Sequence, residues 1–520
     1  MVPTSSDSVK IPRGATGLAC RISTGAVTYK VYAQQRSSAS NPNVVIVGAG
    51  LSGLRCADVL LQNGFRVTVL EARDRVGGRV HQQRLKNGHM VDLGPNWIHG
   101  TDNNPILELA KRTETSVGTL DSRSWVHTSA GHMLPPDEGD RYCTIMWDIV
   151  QQAFDHSNRL GAETDKDKSL LDFFRERLLE MIPSTESDHM RKREIVSSMA
   201  EMWGAFIGSP VSHQSLKYFW MEECIEGENL FCGGTYQKIL DHVAAPALAR
   251  AGIRLCCEVD QIQYPSGTSS KVVVQLVSGE ILTCDEVVVT TPLGWLKRNP
   301  SAFLPALPRP LTQAINSIGY GCLEKVYISF PRAFWLQVPE GQKVNGFIQW
   351  LSPTYSPDTN PHQWHQEAVE LASLEGTHAH PTLLFYTFGE QSQQMASTLA
   401  RLTTPEARTH FLRSFFHPYY SRLRNYRADS PECQPVEFVA TEWSRDELAG
   451  CGSYCNFQVG LEHGDRDVEI MREGLPEQRV WFAGEHTAPF VALGTATGAY
   501  WSGEMVGKRI AEAYSSSESS

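Results

Sequence analysis

Residues 43–72 read NVVIVGAGLSGLRCADVLLQNGFRVTVLEA, and the parsing of this stretch decides the fold. Val44 to Val47 form an apolar run short enough for a strand buried on both faces. GAGLSG follows at once, with Gly48, Gly50 and Gly53 in GxGxxG spacing and Ser52 inside it. Leu51, Leu54, Ala57, Val59, Leu60 and Leu61 then recur near the period of a helix, which Gly64 ends. RVTVLEA reads as a second strand. In that order the glycines allow a tight turn, a close approach of backbone to a pyrophosphate, and close helix–strand packing. The helix N-terminus turns free N–H groups and a positive dipole end toward phosphates. Glu71, 18 residues after Gly53, ends the second strand where a carboxylate can accept ribose hydroxyls.

Working outward, strand-like segments return at 253–290, and RVWFAGEHT followed by GTATGAYWSG gives a strand, a loop and a helix near the C-terminus. Residues 105–228 are mostly helical in pattern, and 323–330 and 383–388 are strand-like. Nucleotide-type segments at the start, middle and end predict an α/β protein with a Rossmann-type domain interleaved with a substrate-binding α+β domain. The first takes 43–104, 229–310 and 471–512; the second takes 105–228 and 311–470. Residues 1–42 are expected to be a flexible arm with a short strand at VTYKVYAQQ, and 513–520 a disordered tail.

Composition narrows the partners. A chain of 520 residues with 47 basic and 58 acidic side chains carries a net charge of −11, which argues against a nucleic-acid surface and suits a cationic ligand. The twelve cysteines show no CxxC pair and no Cys/His spacing for zinc, so no metal is expected. No apolar run reaches the length of about 18 residues that a membrane span needs. With no apolar signal core at the N-terminus, the cytoplasm is the expected location.

GCLEKVYISFP (321–331) raises a separate question. Val326, Ile328 and Phe330 alternate with Lys325, Tyr327 and Ser329, so Lys325 sits on a half-buried strand. The pattern alone allows a solvated lysine on an open sheet face.

EARDRVGGRV extends the first motif with Arg73, Gly77, Gly78 and Arg79, an extension that an extended flavin dinucleotide needs and ordinary NAD folds do not. From about residue 43 to 512 the chain resembles the flavin-dependent amine oxidase family, closest to its polyamine and spermine oxidases. The resemblance is strongest at 43–100, 285–297, 321–335, 443–454 and 481–503, and weak between 105 and 220. It implies an amine oxidase/p-hydroxybenzoate hydroxylase-like fold and FAD as cofactor. In DLGPNWIHG, Asn96 and Trp97 would touch the flavin and His99 the substrate. Val259 in EVDQI would lie at the adenine, and Glu485 in FAGEHT at the chain joining flavin to pyrophosphate. Thr495 and Ala496 would open the helix whose N–H groups face the flavin's pyrimidine edge. Trp443 would pack beside the ring.

The departures also inform. No cysteine follows Cys455, so the thioether of monoamine oxidases is not available and FAD is expected to be non-covalent. Tyr454 stands at one of the two tyrosine positions that sandwich the amine in monoamine oxidases, while Thr495 stands at the other. In CLEKVYISFPRAFW the resemblance makes Lys325 the lysine that holds a water against flavin N5, and so the catalytic residue. Glu222 and Glu223 in YFWMEECIEGE are candidates to receive a distal ammonium, against the alternative of a solvated helix end. The expected reaction is oxidation of a small cationic amine of polyamine type by O2, giving an imine that hydrolyses and hydrogen peroxide. An amine oxidase of a specialised biosynthetic pathway is the main alternative. A histone-lysine demethylase is less expected, because no long antiparallel helical insertion interrupts the second half.

Overall fold

The computed structural model describes residues 41–265, 271–337 and 346–515. The strand expected at VTYKVYAQQ and nearly all of the arm lie outside the described residues. Pro42 already belongs to the fold, since its carbonyl accepts from Arg66 N–H at 3.0 Å.

The opening strand, Asn43–Val47, is central in a five-stranded parallel sheet whose order is Val480–Phe482, Glu286–Val289, Asn43–Val47, Arg66–Leu70, Gly252–Arg254. Val44, Val45 and Ile46 have no exposed surface, as a strand covered on both faces requires. Helix Leu51–Gln62 packs against the C-terminal helix Ala496–Tyr514. Gly503 makes the contact possible: a Cβ there would lie 2.0 Å from the carbonyl oxygen of Ser52. Buried Glu286 fastens the same region, accepting from Trp481 Nε1 at 2.8 Å and Tyr514 O–H at 2.7 Å. The helix therefore continues to Tyr514, two residues into the segment expected to be a tail, because the Tyr514 hydroxyl has a buried acceptor to reach.

A four-stranded sheet of Ile281–Cys284, Val272–Leu276, Val259–Gln263 and Phe303–Leu304 lies beside this core. Helices Arg309–Ser317 and Gly464–Glu473 share that core through Leu311, Ile315, Val468 and Met471.

The third sheet has six strands in the order Glu437–Ala440, Leu323–Ser329, Thr382–Phe388, Gln366–Glu370, Gly346–Trp350, Asp121–His127. All neighbours are antiparallel except the last pair. Val326, Ile328, Phe385 and Trp350 turn one face into an aromatic core with Phe416 and Tyr419. The opposite face carries Tyr327, Leu384 and Tyr386 and looks toward the parallel sheet. The segment 105–228 is mostly helical, as expected, but it also holds the strand Asp121–His127. This edge strand is ordered by pairing with Gly346–Trp350, more than 200 positions away, and no local period announces it. Helices Pro136–Leu160, Leu170–Met181 and His189–Met199 pack on one another as a separate cluster.

Candidate active site

A single cavity of about 1310 Å³ runs between the parallel sheet and the six-stranded sheet. Every site residue named from the sequence lines it except Gly53. The exception is physical. Gly53 faces the strand behind the turn, and a Cβ there would stand 2.1 Å from the Gly48 carbonyl oxygen.

The three glycines of the turn do three different things. Gly48 has φ +108°, a conformation that favours glycine, and a Cβ on it would meet Thr290 Oγ1 at 2.6 Å. Gly53 permits the close helix–strand contact. Gly50 is crowded by nothing: the nearest protein atom to an added Cβ is Gly77 O at 4.0 Å, so that Cβ would occupy the cavity itself. Ser52 Oγ and Thr291 Oγ1, both from cavity-lining residues, are buried without a hydrogen-bond partner among the described residues. Such orphaned hydroxyls beside a helix N-terminus suit the oxygens of a pyrophosphate. The residues at this end fit a dinucleotide.

Glu71 is buried and already committed on its protein side: Oε2 accepts from Ala49 N–H at 2.8 Å and Oε1 from Arg73 N–H at 2.9 Å. Its two oxygens thus tie both turns together while facing the cavity. Arg73 donates to both carboxylate oxygens of Asp446 at 2.8 Å. Arg79 donates to Glu485 Oε1 at 2.9 Å and to the Ser453 carbonyl at 2.6 Å. Burial opposes the charge on Glu485, but the Arg79 guanidinium, together with His486 and Cys455, holds the carboxyl below the ordinary carboxylate range. Val259 lines the wall near Glu71, and Trp443 anchors its indole N–H on the Leu93 carbonyl at 3.0 Å. Thr495 caps the last helix, its Oγ1 accepting from Gly498 N–H at 2.9 Å, with Ala496 the first helical residue.

Farther along, Asn96 and Trp97 are held by the six-stranded sheet. Asn96 donates to Tyr327 Oη at 3.3 Å and accepts from Tyr386 O–H at 3.0 Å, and Trp97 stacks on Phe347. Tyr454 donates to the Phe206 carbonyl at 2.7 Å. Lys325 is buried, with its Nζ on the carbonyls of Asp92 and Gly94 and over the Tyr386 ring. Alternation placed Lys325 beside Tyr327 correctly, but that face of the sheet borders the cavity and not open solvent. Burial lowers the Lys325 ammonium from the lysine range and raises the Asp92 carboxyl; their mutual attraction offsets this only in part.

Glu222 and Glu223 do not form a solvated helix end. Phe219–Glu222 is a buried turn, and Glu222 accepts from Phe457 N–H at 3.2 Å while burial pushes its pKa up to about 8. Glu223 accepts from Asn158 at 3.0 Å and is also raised by burial. His99 shares this end, held neutral by burial, and Asp102, Glu226 and Glu228 add further carboxylates. Sequence reasoning missed Asp92, Tyr327, Tyr386 and Glu367. For Asp92 a signal existed, since it opens the DLGPNWIHG motif. The other three are strand residues whose facing depends on long-range pairing.

The chain matches the flavin containing amine oxidoreductases over residues 51–511. It is 27% identical to "Probable polyamine oxidase 4" of Arabidopsis thaliana, covering 90% of this chain and 87% of the relative. It is 28% identical to "Lysine-specific histone demethylase 1 homolog 1" of the same plant, covering 86% of this chain but 49% of that longer protein. Among solved structures, a putrescine oxidase double mutant redesigned in cofactor binding superposes with a TM-score of 0.64 at 19% identity, covering 91% of this chain and 99% of that one. Among the described residues, no helix is long and apolar enough to cross a membrane. With a family match spanning most of its length and a dinucleotide cradle at its first turn, the chain belongs to the flavin-containing amine oxidoreductases and is an FAD-dependent enzyme.

Proposed function

We propose that this enzyme oxidises polyamine-type amines, long flexible chains that carry several positive charges. The observation that carries this reading is the acidic lining of the cavity, to which Glu222, Glu223, Asp102, Glu226 and Glu228 all contribute, as does His99. A buried carboxyl such as Glu222 becomes far easier to ionise once an ammonium lies beside it, so this lining rewards a cationic guest. Nearer the flavin end, Tyr454 and Trp97 provide flat apolar walls for the methylene chain.

When bound, FAD supplies the two-electron acceptor for the C–H bond next to the amine nitrogen and passes the electrons to O2 as hydrogen peroxide. The protein's part is to hold the chain in register and to supply water. Lys325, with its Nζ lowered toward neutrality and aimed into the cavity, holds a water that hydrolyses the imine product to an aldehyde and an amine. Asn96 is fixed by two tyrosines and keeps the backbone around Pro95 in place on the cavity wall that would face the flavin. Because Arg79 and Glu485 already neutralise each other, they can hold the uncharged chain between flavin and phosphate by hydrogen bonds alone. FAD is held without a covalent bond on this reading. The FAD-binding part comprises 43–104, 229–310 and 471–512, to which we add helices Arg309–Ser317 and Gly464–Glu473 because they share its core.

A peroxide-release screen tests the proposal with spermine, spermidine, their acetylated forms, butylamine, benzylamine and a dimethyl-lysine peptide. We expect spermine or spermidine to give the highest kcat/KM. Preferential turnover of the peptide would favour the demethylase reading suggested by relatives of that name. Preference for benzylamine would overturn the polyamine assignment.

A further inference from the structure

Glu367 lies in the strand Gln366–Glu370, is 2% exposed, and lines the cavity. Its sequence context, HQEAVE, marks it as nothing but a strand residue. The sheet register gives it a position with chemical meaning. Lys325 is opposite Tyr386, Tyr386 is opposite Glu367, and Glu367 is opposite Gln349. Directly opposed residues of antiparallel strands point to the same face, so these four make one row across the cavity side of the sheet. Neighbouring strands stand about 4.8 Å apart, which puts the Glu367 backbone about 10 Å from that of Lys325.

The members of the row differ in what they already hold. Lys325 Nζ rests on the Asp92 and Gly94 carbonyls, and the Tyr386 hydroxyl is bound to Asn96. Gln349 spends its amide N–H groups on Ser124 Oγ and Met202 Sδ, but its Oε1 is buried with no donor. Glu367 Oε2 is likewise buried with no donor among the described residues. Two acceptors without donors therefore sit on adjacent strands, one of them a carboxyl on the cavity wall. No basic side chain perturbs Glu367: burial alone pushes its pKa up to about 8.

We propose that Glu367, backed by the Gln349 side-chain amide oxygen, is a cation subsite that receives a protonated nitrogen of the substrate chain about two strands away from the bond cleaved beside Lys325. This rests on the polyamine reading above and adds a second charge site to Glu222 and Glu223, which come from a different segment and are held by Phe457 and Asn158. On binding, the ammonium drives Glu367 to its carboxylate, and the displaced proton leaves to solvent. A chain with one nitrogen cannot reach Lys325 and Glu367 at once. Glu367 thus selects amines with a second charge several methylenes from the reacting nitrogen.

The test uses flavin-loaded Glu367→Gln, which keeps the shape and removes the charge. Two quantities are read: the ratio of kcat/KM for spermine over butylamine, and the calorimetric Kd of spermine for dithionite-reduced holoenzyme under argon, which binds but cannot turn over. We expect the ratio to fall and the Kd to rise by about 30-fold or more, the scale of a lost buried charge pair. Glu367→Asp, which keeps the charge on a shorter arm, should lie between wild type and Glu367→Gln in both. A ratio and a Kd within twofold of wild type in Glu367→Gln would overturn the inference and leave the polyamine reading standing. So would Glu367→Asp behaving as Glu367→Gln does. A wild-type enzyme that oxidises butylamine and no polyamine would overturn both.

Discussion

Arg79 and Glu485 at the flavin end, and Glu222, Glu367 and Lys325 at the amine end, are all ionisable side chains withdrawn into one cavity wall. The first two are bonded to each other at 2.9 Å, and Glu485 stays ionised because of it. The others have no oppositely charged side chain bonded to them, and burial pushes each toward its neutral form. A buried charge without a partner is expensive, so a protein keeps one only where a partner arrives later. At the flavin end the buried Arg79 and Glu485 charges are paired by the protein before anything binds, which suits a permanent guest. The amine end is left electrostatically incomplete and suits a guest that comes and goes.

The sharpest way to break this comparison is at the glycines. Gly53→Ala would drive a Cβ to 2.1 Å from the Gly48 carbonyl, so both flavin content and folding stability should suffer, the latter by about 1–3 kcal/mol as in other overpacked cores. Gly50→Ala has room within the protein and an ordinary φ of −76°, so it should melt as wild type does yet purify colourless. Visible flavin absorbance and thermal melting separate the two outcomes. If Gly50→Ala retained full flavin, the turn would not be where the phosphates lie.

A smaller effect is expected from Lys325→Met, which keeps length and loses the nitrogen. Flavin content should hold while turnover falls by about 10²-fold, the scale of a lost positioned acid–base group. Stopped-flow traces, taken anaerobically and then with oxygen, would show which half-reaction slows. Wild-type rates in both halves would return Lys325 to the role of a structural strand residue.

The smallest effect, and the one that bears most directly on the contrast, is on stability against pH. Glu222 titrates near 4.5 when unfolded and near 8 when folded, so the native state holds the extra proton between them. Stability therefore falls as pH rises through that window, by at most about 1.4 kcal/mol per pH unit for each such proton. Glu485 has the opposite sign: its folded pKa is depressed, so its contribution is present above about pH 4.5 and is lost as pH falls through the folded value. Melting temperatures from pH 4 to 9 should show both slopes, and Glu222→Gln should make only the upper one shallower, since Glu367 contributes to it as well. An upper slope unchanged in that variant would remove Glu222 from the contrast.

How much of this could be read in the amino-acid order follows the same division. The flavin end rides on contiguous motifs, because a pyrophosphate demands particular glycines at fixed offsets from one strand and one helix. GAGLSG, Glu71 and the helix after Thr495 are therefore visible without coordinates. The pairing of Arg79 with Glu485 was not, since 406 positions separate them and each alone suggests contact with the cofactor. At the amine end, alternation correctly put Lys325 beside Tyr327, yet no periodicity says which face of a sheet meets water. Glu367 is chosen by the register of four strands, and register is set by turns and cores outside any local window. The strand Asp121–His127 stayed hidden for the same reason.

The place of Asn43–Val47 in its sheet has a consequence for how the enzyme is made. One of its two neighbours, Glu286–Val289, is made more than 200 positions later, just past the Asp285 carboxylate that accepts from Asn43 N–H 242 positions away, and the edge beyond is laid down only with Val480–Phe482. At a synthesis rate of about 5–20 residues per second, this strand can pair with Arg66–Leu70 within seconds but waits roughly 10–50 s on the ribosome for its other neighbour. During that interval Val44 and Ile46 can pack on Leu54, Leu60 and Val67, but the far edge of the sheet stays open. The cavity wall supplied by Glu485, Thr495 and Ala496 is therefore in place only after the helix Ala496–Tyr514 has emerged to lie along Leu51–Gln62.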